Sequence, residues 1–316
     1  MIRWIRFLLK FVPMLLGVAI TSAPAYALTI NDVQKLLASD GDAGVLFGET
    51  VAIDGDTAVI GAIQNREHGD SSGAVYVFNR DATGMWTEHV KLLASDAVER
   101  QFFGNAVAIS GDMIVVGAIG DNDKGRYTGS AYIFIRDATG AWHEQAELLA
   151  RDGAEGDAFG YSVAVSGDTV VVGAIYVDNS DVMNSGAAYV FVKDAENNWS
   201  EQAKLVPDNP AAHDLYGNSV AVSGDTVLIG RQHLGFNIGT GAGATRVFTR
   251  DASGSWREQP SLMASDGFEQ DGFGAGGGFR LSFSGFQNRE PSEQAKLEPT
   301  AAKDCMKEAG PCENEP

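Results

Sequence analysis

Cysteine is nearly missing from this 316-residue chain: the two present, Cys305 and Cys312, both stand close to the C-terminus. No disulfide can therefore brace the main body, and oxidation could close only a small loop in the tail. Helical periodicity is missing too, since no window of the body repeats its apolar residues at a helical spacing for a useful length. Beyond residue 27 no run is long and apolar enough to cross a bilayer, so no membrane span is expected. Cations are scarce: 23 Lys and Arg stand against 42 Asp and Glu, a formal net charge of −19. Such a surface repels nucleic acid and anionic membranes and excludes both as expected partners. It attracts cations weakly, without addressing them to any site.

The first 27 residues differ from the rest. Arg3, Arg6 and Lys10 precede the apolar stretch FVPMLLGVAI, and Ala25 and Ala27 supply the small residues of a cleavage site. That is the pattern of a secretory signal peptide cut before Leu28. A membrane anchor is the alternative, and Pro13 and the shortness of the apolar run argue against it. The mature chain is expected to be secreted, extracellular or periplasmic.

What fills the body is repetition. VAIDGDTAVIGA begins at Val51, VAISGDMIVVGA at Val107, VAVSGDTVVVGA at Val163 and VAVSGDTVLIG at Val220. Phe47-Gly48, Phe103-Gly104, Phe159-Gly160, Tyr216-Gly217 and Phe273-Gly274 keep the same period of about 56 residues, as do Trp86, Trp142, Trp199 and Trp256. Within one period, two β-branched runs flank a Gly-Asp turn, the signature of a hairpin. A third strand such as GAAYVFVKD follows, then a turn such as DATG, then a more polar strand such as WSEQAKL. Inner strands apolar on both faces and a wetter outer strand describe a propeller blade packed between neighbours. The fold class is all-β, a β-propeller of four-stranded blades. Phe103, Phe159 and Trp142 are expected to be buried between blades, and the glycines of Phe-Gly and Gly-Ala to sit where backbones approach closely.

Phe-Gly, a hairpin, then Gly-Ala-Ile resembles the FG-GAP repeat of integrin α-subunit propellers, and more closely its secreted bacterial branch. The resemblance covers roughly Gln34 to Gly274. It implies a β-propeller, and suggests adhesion or association with the cell envelope. The organisation is therefore read as a signal peptide over 1–27, propeller repeats over 28–274, and a degenerate fifth repeat with a polar, disordered tail over 275–316. DVQKLLASD, before the first Phe-Gly, matches the outer-strand segments of later repeats and reads as an orphan outer strand. No SGD hairpin survives after Gly274, although SEQAKL returns at Ser292. Four or five blades could close a small ring; the reading preferred here is an incomplete ring with apolar blade faces exposed at its ends, open to self-association.

Candidate site residues are few. His68, His89, His143, His213 and His233 have no evident Ser or Cys partner, and no carboxylate pair stands out, so no catalytic residue is assigned. In integrins, calcium loops join the first and second strands. Here that place holds only two-residue turns, and Asp54 and Asp56 are at best a remnant, because such a turn cannot wrap a cation. The loop Asp121-Asn122-Asp123-Lys124-Gly125 has ligand-type residues, but Lys124 opposes a cation. Asp152 with Asp157, and Asp266 with Asp271, read as turn-forming and solvating. The RDATGMW turn is structural: Asp81 bonds forward and Gly84 takes positive φ, while Trp86 covers a blade edge. The sequon Asn198-Trp199-Ser200 reads as incidental. No metal and no cofactor are expected. The function that follows is a non-enzymatic module presenting loops to an extracellular protein or glycan. Its rivals are a propeller hydrolase or lyase with an axial site, and a remnant of a longer FG-GAP protein.

Overall fold

A two-residue turn between extended runs demands positive φ at its first position, and glycine meets that demand at no steric cost. Gly55, Gly111, Gly167 and Gly224 all take φ between 54° and 58°. Each closes an antiparallel hairpin, pairing Asp54 with Thr57, Ser110 with Met113, Ser166 with Thr169 and Ser223 with Thr226. The structure is a computed structural model and describes residues 34–180, 182–231 and 244–263. The expected signal peptide, His233, Asp266, Asp271, the fifth repeat and both cysteines lie outside them. The chain divides after Lys35, and the architecture below belongs to the second unit.

Among the described residues, sixteen strands form four sheets, each antiparallel and in simple sequence order. The first blade is β1 (Phe47–Asp54), β2 (Thr57–Ala62), β3 (Ala74–Arg80) and β4 (Trp86–Leu92). The second is β5 (Phe103–Ser110), β6 (Met113–Ala118), β7 (Ser130–Arg136) and β8 (Trp142–Leu148). The third is β9 (Phe159–Ser166), β10 (Thr169–Ala174), β11 (Ala187–Lys193) and β12 (Trp199–Leu205). The fourth is β13 (Tyr216–Ser223), β14 (Thr226–Arg231), β15 (Thr245–Arg250) and β16 (Trp256–Leu262). These are the blades of a propeller-like repeat fold. In the first three blades the second strand is buried throughout, which is why its sequence is apolar on both faces.

Each blade packs on the next. Val59, Val75 and Val77 of the first blade meet Phe103, Ile109, Tyr132, Phe134 and Trp142 of the second. Val115 and Ile133 meet Phe159, Val170 and Tyr189 in the same way, and Val171 and Val190 meet Tyr216 and Val227. Phe103, Phe159 and Trp142 are buried as the sequence predicts. Phe159 sits edge-on to Tyr189 and Phe191 at 5.4 and 5.9 Å, a geometry that aromatic quadrupoles favour. The glycines mark the closest approach. A Cβ on Gly117 would lie 2.0 Å from the Gly160 carbonyl, and one on Gly160 would lie 2.2 Å from the Ser130 carbonyl. Phe-Gly and Gly-Ala are thus two halves of one contact between blades.

Among the described residues, the first blade has no such neighbour on its leading face. Val51 is 67% and Ile53 46% exposed, whereas Ile109, at the same repeat position as Ile53, is 2% exposed. Among the described residues, Leu36 and Ala38 cover part of that face, packing over the cluster of Tyr76 and Phe78. Ser39 then donates from its backbone N–H to Glu88 Oε2 at 2.7 Å, as Ser95 does to Glu144 and Arg151 to Glu201. The segment thus stands in for the end of a preceding blade. Of the expected orphan outer strand DVQKLLASD, Gln34 to Asp40 lie within the described residues, and they do not form a strand. Leu36 and Ala38 pack on the face from an irregular segment instead.

Candidate functional site

The up-and-down order of the strands sends every loop to one of two rims. One rim carries the Gly-Asp hairpins and the DATG-type turns. Asp81, Asp137, Asp194 and Asp251 each accept from the backbone two residues on, at 2.8–3.0 Å, and Gly84 has φ of 88°. Asp56 pairs with Arg80, as do Asp112 with Arg136, Asp168 with Lys193 and Asp225 with Arg250. Asp54 accepts from the Gly111 N–H of the next blade at 2.6 Å. The suspected calcium remnant is therefore a set of structural ties.

The histidines are scattered. His89 Nε2 lies 3.0 Å from the Gly140 carbonyl, His143 Nε2 pairs with Asp137 at 2.7 Å, and the His213 ring meets Asn184. The His68 backbone N–H donates to Ser72 Oγ. Asn198 of the sequon is exposed and donates to Asp194 at 3.1 Å.

The opposite rim brings chemistry together. It holds the loops between second and third strands and the loops entering the next blade. In the first blade the Tyr76 hydroxyl donates to Asp40 Oδ1 at 2.6 Å, and the Lys91 ammonium bridges Asp40 and Glu67. In the third, the Tyr189 hydroxyl donates to Asp152 at 2.9 Å and Lys204 donates to the same carboxylate at 2.8 Å. Burial works against the charge on Asp152, but the hydrogen bonds from Lys204 and Tyr189 outweigh it and hold its pKa below the ordinary value. Asp157 does not join it; its carboxylate accepts the Ala154 N–H at 2.8 Å, and burial raises its pKa. Asp152, Asp157, Tyr176, Asp178, Asn184 and Lys204 line an open polar pocket of ≈ 350 Å³.

The second blade keeps the tyrosine and the aspartate but loses the lysine. Tyr76 pairs across the strands with Lys91, and Tyr189 with Lys204; Tyr132 pairs with Glu147. One oxygen each of Asp96, Asp121 and Asp123 lies within 4.8 Å of the other two. The Tyr132 oxygen is 2.9 Å from Asp96 and 3.0 Å from Asp121, so one O–H proton serves two carboxylates. Burial, with Asp121, Asp123 and Asp96 adding repulsion, pushes the Glu147 carboxyl up to about 8. Burial also raises Asp123, as do its acidic neighbours. Lys124 does not oppose this cluster as the sequence suggested. Its ammonium turns away and donates to the Ala150 carbonyl at 2.6 Å.

Two features escaped the sequence reading. The Glu of each outer strand (Glu88, Glu144, Glu201, Glu258) clamps the backbone of the preceding loop. Gln101 is the other: it is fully buried, and its Nε2 lies 2.9 Å from Asp121 and 3.3 Å from Asp96. The signal for Glu147 lay in the repeat alignment itself, as the one acid in a column that otherwise reads Lys91, Lys204 and Ser261.

A search of curated proteins returns no match. Among solved structures, one of a protein from Lactobacillus plantarum is similar, with a TM-score of 0.44 and 12% identity. The match covers 69% of this chain, which spans 57% of that protein. The family model described as FG-GAP repeat matches four times, over residues 30–78, 86–134, 142–191 and 199–248. Each match after the first opens on an outer-strand tryptophan and ends in the third strand of the next blade, so the matched unit spans the blade-to-blade contact described above. With most of its length so matched, the chain belongs to the FG-GAP repeat family.

Proposed function

We propose that this protein is a secreted, non-enzymatic binding module that holds an extracellular protein or glycan on the loop-bearing rim. One observation carries the reading: the repeats agree at one rim and differ at the other. The hairpins keep Gly-Asp in every blade, and the aspartate that opens the third-to-fourth-strand turn accepts the same backbone hydrogen bond in all four. The third blade does so although it reads DAENN in place of DATG or DASG. At the opposite rim the loops read IQNREHGDSSG, IGDNDKGRYTG and IYVDNSDVMNSG on one common strand register. Loops that vary on a rigid frame are where binding side chains are presented. Exposed Tyr176 (44%) and Met183 (57%) stand on that rim beside the polar pocket. An aromatic face among carboxylates, an amide and an ammonium suits a polar ligand with an apolar side. The leader-like first 27 residues support export.

The test is a glycan array and a panel of immobilised extracellular proteins probed with the purified chain. Retained ligands are then titrated against Tyr176→Ala and, from the opposite rim, Thr139→Ala. Loss with the first and no change with the second supports the reading. The reverse pattern moves the binding face, and cleavage of a retained ligand makes the protein an enzyme.

A further inference from the structure

We propose that the second blade binds one divalent cation, calcium by its donor set, among Asp96, Asp121, Asp123 and Glu147, where the first and third blades hold a lysine ammonium. Asp96 occupies the place of Asp40 and Asp152, Asp123 that of Glu67, and Glu147 that of Lys91 and Lys204. In the first blade one ammonium bridges the two carboxylates. In the second the bridge is replaced by a further carboxylate, and Asp121, 2% exposed, adds a fourth acid where the first blade has the neutral Asn65. Four acids at one rim position without their cation are an arrangement that electrostatics opposes unless a cation joins them.

A second observation points to the ligand. Gln101 is 0% exposed, its amide lies against Asp96 and Asp121, and its Oε1 has no hydrogen-bond partner. Glu147 Oε1 is likewise buried without a partner. A carboxamide can present either end. Facing bare carboxylates it turns its NH₂ inward, and facing a cation it can turn its oxygen there. The third and fourth blades have Asp157 and Asp214 at the Gln101 position, and each caps a backbone N–H. Gln101 has been released from that task.

The donor set is oxygen alone, which selects a hard cation over zinc or copper. The oxygens of Asp96, Asp121 and Asp123, within 4.8 Å of one another, fit opposite sides of calcium, with ligands at about 2.3–2.6 Å, better than magnesium at about 2.0–2.1 Å. The site lies on the loop-bearing rim, so it is not a remnant of a first-to-second-strand loop. A bound ion would fasten the loop entering the second blade to the loop after β6.

The test is isothermal titration of the chelator-treated full chain with calcium chloride, and separately with magnesium chloride. The melting temperature is followed in parallel. One calcium per chain is expected, with Kd on the order of 10⁻⁴–10⁻³ M as in extracellular sites, weaker magnesium binding and a rise in melting temperature. Glu147→Lys restores the ammonium of the sister blades, so it should fold and show no saturable calcium binding. Asp123→Asn, at an exposed position, should weaken binding about tenfold if that fold-change follows the ligand charge. No saturable binding by the native chain up to ten times that Kd overturns the proposal. So does unchanged calcium binding by either variant.

Discussion

Glu147 stands across from Tyr132 in the second blade, in the register place that Lys91 holds across from Tyr76 in the first. The two pairs share a backbone and differ in the sign of one charge. Comparison within the chain is therefore a controlled experiment: the frame is constant, and each departure from it has its own physical account.

Ile53 and Ile109 occupy one repeat position, yet they are 46% and 2% exposed. Ile109→Ala should lower unfolding free energy by about 2–5 kcal/mol, the usual range for emptying an isoleucine site in a core. Ile53→Ala should cost under about 1 kcal/mol, as surface changes do. Equal losses in urea titration would mean that the leading face of the first blade is covered in solution, by a second copy or by another part of the chain.

Phe159 is fully buried between the second and third blades. Phe159→Ala should destabilise by about 3–5 kcal/mol. Calorimetry measures this directly, and an unchanged melting temperature would contradict the packing of one blade on the next.

Much of this architecture could be read from the sequence. The Gly-Asp turns, the inner strands apolar on both faces and the burial of Phe103, Phe159 and Trp142 follow from local pattern, because local pattern is what the repeat preserves. The acidic cluster could not be read that way. Asp96 comes from a loop between blades, Asp121 and Asp123 from a loop within the blade, and Glu147 from a strand. Only the fold brings them together. Lys124 misled because a charge next to Asp123 in sequence was taken as next to it in space, whereas its long side chain reaches the Ala150 carbonyl. Gln101 was passed over because burial is invisible for a polar residue in a turn-rich stretch.

Asp152 carries a prediction in pH. Lys204 and Tyr189 hold its pKa below the ordinary carboxylate value in the folded state. The tie therefore contributes its full stability above the unfolded pKa of about 3.9 and loses it as pH falls through the lower folded value. Asp40, lowered mainly by its hydrogen bond from Lys91 and then by Tyr76, acts with the same sign. Asp152→Asn should be less stable than the native chain at pH 6, and the gap should close on acidification below about pH 4. A gap that stays constant from pH 6 to pH 2.5 would mean that the carboxylate acts by packing and not by charge.

Gly48 and Gly160 separate backbone strain from blade packing. Both belong to a Phe-Gly pair and their φ angles are nearly equal, 93° and 91°. A Cβ on Gly48 would meet nothing within 4 Å, while one on Gly160 would lie 2.2 Å from the Ser130 carbonyl and 3.0 Å from the Ala118 nitrogen. Alanine at either position bears the cost of positive φ, about 1–2 kcal/mol. At Gly160 it must also push two blades apart, because both obstructing atoms are backbone and cannot rotate aside. Gly48→Ala should therefore fold with a modest loss of stability. Gly160→Ala should lose several kcal/mol more, of the order seen for overpacking at rigid sites, and show raised exposure of Phe159 to quenchers or hydrogen exchange. Equal losses for the two variants would show that Phe-Gly is kept for its backbone angle alone and that the blades do not meet at Gly117 and Gly160.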